Sequence, residues 1–180
     1  RQVGANEKKR LARLALALIA TVLFAGCGSN KNIEPTSELV LQGADPPSSN
    51  IGVNPPLNHQ TYFVFRIKLS DKNLSLVPAD AWTIESYDIS YSLQSDPGGH
   101  LAAVPASEHK VMNTKVRPGI ALRLPVSIVT DSYLRDNAQG FVGTGDSAIV
   151  KAHLVFHAHR NKDGVKQSFP DRFLFTLGNF

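Results

Sequence analysis

From Gln60 onward the apolar side chains recur at every second position, and that period of two decides most of what this chain can fold into. Phe63, Phe65, Ile67 and Leu69 alternate with Tyr62, Val64, Arg66 and Lys68. Tyr87, Ile89, Tyr91 and Leu93 alternate with Ser86, Asp88, Ser90 and Ser92. Ile120 to Ile128 and Ala148 to Ala158 repeat the pattern, and Phe173, Phe175 and Leu177 close the chain. A helix needs apolar residues three and four apart, so these segments read as strands with one face on a core and one on water.

The connections agree. Asp163-Gly164 between two strong strands is a hairpin signal, Ser95–Gly99 ends a strand, and Arg117-Pro118-Gly119 introduces one. Pro125 lacks a backbone donor, so its strand belongs at a sheet edge or at a bulge. A short helix fits only Asp131–Gln139, with Asp131 as its cap. About seven antiparallel strands over residues 61–180 resemble a Greek-key sandwich of immunoglobulin or fibronectin III architecture. Trp82 fits the core tryptophan of such sandwiches, at an early position, while their cysteine pair is absent. A closed barrel with a ligand cavity is the alternative all-β fold.

The first 26 residues are of another kind. Lys8, Lys9, Arg10 and Arg13 precede thirteen uncharged residues, Leu14 to Gly26. At about 1.5 Å per residue that run makes roughly 20 Å of helix, short of the ~30 Å hydrocarbon core but suited to a signal-peptide core. Five of the 19 basic residues and one of the 15 acidic ones lie before residue 27, which leaves 14 of each beyond it. The net +4 therefore belongs to the leader, and composition gives no reason to expect a nucleic-acid partner.

Leu23-Phe24-Ala25-Gly26-Cys27 resembles the lipobox of bacterial lipoproteins, with Phe24 where that family usually has leucine. The resemblance implies a signal peptide over 1–26, cleavage after Gly26, and acylation of Cys27 on its sulfur and its new amino group. Cys27 is the only cysteine, so a disulfide framework and a cysteine zinc site are excluded. Two or three acyl chains hold a protein stably at a membrane where one holds it marginally. Gly28 and Ser29 follow, with no Asp after the cysteine, which by the same resemblance implies the outer rather than the inner membrane. Residues 27–60, rich in Ser, Asn and Pro, read as a tether, in which Glu38–Gln42 is long enough for an edge strand.

Chemistry is sparse. His153, His157 and His159 share one face of a strand; residues two apart lie about 6.6–6.8 Å from each other, so His157 and His159 could share a metal. A polar outer face that happens to use histidine explains them without a metal, and a pair is two ligands short of a structural zinc site. No Gly-x-Ser-x-Gly or Ser-x-x-Lys motif stands in the right context, Gly140–Gly145 lacks the Gly-Lys-Ser/Thr ending of a phosphate loop, and no carboxylates form a close pair. Tyr133, Phe141 and Val142 are apolar residues in polar loops, candidates either for a partner contact or for a cover over the end of the core.

The expectation is a non-enzymatic lipoprotein of the bacterial envelope with no cofactor beyond its covalent lipid, acting as a binding or accessory module. Its partners would be the membrane and an envelope protein. Two alternatives stand beside it, a metal-binding or metal-carrying periplasmic protein using the His157 and His159 pair, and a structural component of a surface complex.

Overall fold

In the computed structural model of the chain the described residues are 37–53, 59–69 and 81–179. Backbone contacts divide the chain into two units, Arg1–Glu34 and Pro35–Phe180, and every described residue belongs to the second. The leader and Cys27 lie outside the described residues.

Among the described residues the second unit is all-β with one short α-helix. Its strands are β1 (Ser37–Asp45), β2 (Ser48–Gly52), β3 (His59–Leu69), β4 (Trp82–Ser95), β5 (Glu108–Val116), β6 (Leu122–Val129), β7 (Ser147–Arg160) and β8 (Lys166–Gly178), with α1 (Asp131–Asn137) between β6 and β7. They form two sheets, one in the order β1-β3-β6, the other in the order β2-β8-β7-β4-β5. All neighbours are antiparallel except β2, which runs parallel to β8. β1 and β2 lie inside the stretch whose composition reads as tether, so strand structure reaches back at least to Ser37.

The two sheets share one core. Phe63 and Phe65 of β3 place their ring centroids 4.9 and 5.2 Å from that of Phe156 on β7, and Phe65 also meets Phe169 of β8 at 5.9 Å. Alternation supplies these contacts: Ala148, Val150, Ala152, Leu154, Phe156 and Ala158 are all buried, and their odd-numbered neighbours are not. Each fully buried large side chain of this kind contributes roughly 1.5–3 kcal/mol relative to exposure.

Bulges set the phase of β4. Its register slips between Ile84 and Ser86 against both neighbours. Hence Trp82 and Ile84 are buried before the slip, and Tyr87 and Ile89 after it. Trp82 is the first residue of the strand and donates from Nε1 to Ser37 Oγ at 3.4 Å, with the Arg160 guanidinium 5.9 Å from its ring.

The prolines and turns fall where their backbones demand. Pro125 is on β6, an edge strand. Pro170 is in β8, on a stretch beyond the part that β2 covers. The hairpin between β7 and β8 turns at Gly164, whose φ of +72° suits glycine, and closes with Arg160 N donating to Val165 O at 2.8 Å. The helix is capped by Thr130 rather than Asp131: Thr130 Oγ1 accepts from Tyr133 N at 3.4 Å.

Candidate functional site

The outward face of the five-stranded sheet carries a run of hydrogen bonds across four strands. Asp88 on β4 stands directly opposite His109 on β5, and His157 on β7 directly opposite Ser168 on β8. Asp88 lies diagonal to His157, whose own partner in register is Ser86. Such opposite and diagonal pairs are within side-chain reach on one sheet face. Asp88 Oδ1 lies 2.6 Å from His109 Nδ1, Asp88 Oδ2 lies 2.7 Å from His157 Nε2, and His157 Nδ1 lies 3.0 Å from Ser168 Oγ. The hydrogen bond from His109, then that from His157, holds the Asp88 carboxyl below its ordinary value.

Ser168, His157 and Asp88 are thus connected in the series nucleophile, base, orienting acid. Their setting is open to solvent. The Asp88 side chain is 51% exposed and that of His157 36%. Charge stabilisation of a transition state depends on a dry site, and water at this face screens it. The array ties four strands together across the face.

The histidines of β7 each face a different side chain of β4. His157 faces Asp88, whereas His159 Nδ1 faces Glu85 Oε1 at 3.0 Å, and His153 Nε2 meets Ser92 Oγ at 3.2 Å. Each ring thus lies beside a different neighbour on β4. Among the described residues no three His, Cys, Asp or Glu side chains form a group that could hold a metal ion.

The end loops resolve differently for each of the three apolar residues. Phe141 is fully buried, with its ring 5.6 Å from that of His100, the placement of a cover over the end of the core. Tyr133 is half-buried, its hydroxyl donates to Ala103 O at 2.6 Å, and burial pushes its phenol up to about 12. It ties α1 to the loop after β4. Val142 is the most exposed of the three, at 54%. His100 secures the same end: its Nε2 lies 2.8 Å from Asp146 Oδ2, while Asp96 accepts from His100 N and Leu101 N.

The sequence by itself did not bring Asp88, His109 and Ser168 together. They come from three strands, and only the register of β4 with its bulge brings them beside His157. The signal that existed was the polar alternation of β4 and β7, which puts Asp88 and His157 on outward faces.

No family model matches the sequence, and no curated protein matches it. Among solved structures the chain is similar to the sporulation control protein Spo0M of Bacillus subtilis, at 10% identity over 78% of this chain and 49% of that one, with a TM-score of 0.29. The chain thus spans about half the length of that protein, a likeness too slight to carry any inference.

Proposed function

We propose that this chain is a lipid-anchored lipoprotein of the bacterial cell envelope whose body is a non-catalytic binding module. The observation that carries the reading is Cys27, the sole cysteine, set directly after Leu23-Phe24-Ala25-Gly26 at the end of an uncharged run. Gly28 and Ser29 behind it favour the outer membrane. Ser37, where the first strand begins, lies ten residues after Cys27. At ~3.3–3.6 Å per extended residue, the link would hold that strand within about 35 Å of the acylated residue.

The finer fold assignment we propose is a Greek-key sandwich of the immunoglobulin kind. The strand order supports it. β1, β3 and β6 take the places of the first, second and fifth strands of that fold, and β4, β5, β7 and β8 those of its third strand, the added strand beside it, and its last two. β2 continues the first strand into the opposite sheet. Sandwiches of this architecture serve many unrelated activities, so the binding role rests on the anchored setting and the exposed polar face, not on the fold.

Feeding cells an alkyne-tagged palmitate tests the anchor. The full chain should take up label, and Cys27→Ser should take up none. Equal labelling of both, or of neither, would remove the lipoprotein reading.

A further inference from the structure

We propose that the groove between β1 and the first half of β8 docks an extended segment of a partner protein bearing a basic residue, added as a strand along the outer edge of β1. This rests on the binding-module reading and states where such a module binds.

Two strand edges open into the groove. Among the described residues β1 is the outermost strand of its sheet and pairs only with β3. β2 covers β8 only from Leu174 to Gly178, so among the described residues no strand lies beside β8 before Leu174 on that side. The cavity between them measures about 350 Å³, with Glu38–Gly43 on one wall and Gln167–Asp171 on the other. Unpaired strand edges invite another strand, and the hydrogen bonds of such an addition run along the main chain.

The other edges are blunted in the ways proteins use to prevent this. β5 carries Lys110, Lys115 and a register slip, β6 carries Arg123 and Pro125, and β2 has five residues. On β8, Pro170 keeps its place in the ladder opposite Val155 by turning its nitrogen away from β7, so that wall is a poor template. β1 has no Lys, Arg or Pro from Glu38 to Ala44, and its own register slip falls only between Leu41 and Gly43. Glu38–Leu41 is therefore a regular, unguarded template.

Charge selects the occupant. The lining includes the carboxylates of Glu38 and Asp171 and no Lys or Arg. Asp171 Oδ1 accepts from Arg172 N at 2.8 Å, but Oδ2 is buried with no hydrogen-bond partner. That oxygen reaches toward β1: a Cβ built on Gly43 would lie 3.9 Å from it. A buried carboxylate oxygen without a donor is costly, and a Lys, an Arg or a main-chain N–H from an added strand supplies one.

Fluorescence anisotropy with the full chain in detergent micelles tests this. The probes are a short labelled peptide of alternating lysine and valine and its glutamate–valine counterpart. The lysine peptide should bind and the glutamate peptide should not. Asp171→Asn should weaken binding about tenfold, the scale of one hydrogen bond to a charged group. Glu38→Lys with Gln42→Lys, both at exposed positions, should abolish it while Trp82 fluorescence stays native. Bound peptide should protect the amides of Glu38–Leu41 from hydrogen exchange and leave those of β5 unchanged. Failure of the lysine peptide to bind, equal binding of both peptides, protection at β5 or β6, or self-association of the chain through β1 would each overturn the proposal. A chain that takes up palmitate yet ignores the peptide would lose the groove and keep the anchor.

Discussion

Replacing Phe156 with alanine should cost more stability than any other single truncation on β7. Phe156 has no exposed surface. Its ring meets Phe63 at 4.9 Å, Phe65 at 5.2 Å and Tyr87 at 5.6 Å, so it joins β3 of one sheet to β4 and β7 of the other. Phe→Ala in a core costs about 3–5 kcal/mol in lost transfer energy and residual cavity. Three ring neighbours, each adding ~0.5–1.5 kcal/mol beyond buried area, place this position in the upper part of that range, about 4–5 kcal/mol. For a chain of this size 1 kcal/mol shifts Tm by roughly 2–4 °C, so Tm should fall by about 8–20 °C. Urea unfolding followed by fluorescence is a suitable assay, because Trp82 is the only tryptophan and is buried in the same core. Val111→Ala, at a position 81% exposed, should stay within about 0.5 kcal/mol of the parent. A loss below about 1.5 kcal/mol for Phe156→Ala would refute the packing of the two sheets on this ring.

Three further outcomes follow from single residues. His59 Nε2 is buried without a partner, and burial lowers its pKa from 6.5, so the unfolded chain takes up the proton first. Its contribution is full above pH 6.5 and is lost as pH falls through the lowered folded value; the urea midpoint should drop more steeply below that pH for the parent than for His59→Gln, and identical profiles would contradict this. Arg160 holds the Asp163 carboxyl down to about 2 from 3.8, so any stability that this contact adds to the β7–β8 hairpin is present above 3.8 and lost as pH falls toward 2. The Tm difference between the parent and Asp163→Asn should therefore close over that interval. Gly140→Ala should destabilise by about 1–3 kcal/mol, since its Cβ would lie 2.3 Å from the main-chain oxygen of His100, and a neutral result in thermal unfolding would show that the two loops are not in contact.

Legibility in the sequence followed burial. Strands with one face on the core, such as β3 and β7, announce themselves by alternation. β5 does not, because most of its residues are exposed on both faces, and the segment reads as loop. β1 and β2 sit among Ser, Asn and Pro that resemble a tether; only the island at Glu38–Gln42 hinted at docking. Ile120 continues the alternation of β6 yet is 66% exposed before the strand begins. Phe141 was legible as apolar, but only the packing against His100 separates a cover from a contact. The polar array on the outer face depends on how β4 slips at its bulge, and register of that kind is decided by tertiary packing rather than by local composition.

The central claim is that the chain is held to a membrane through Cys27. Intact-mass measurement of the mature protein extracted from cells addresses it without an intermediary. The mature polypeptide should begin at Cys27 and be heavier than its sequence by a diacylglyceryl group and an amide-linked acyl chain. A product that retains residues 1–26 with an unmodified Cys27 thiol would contradict it.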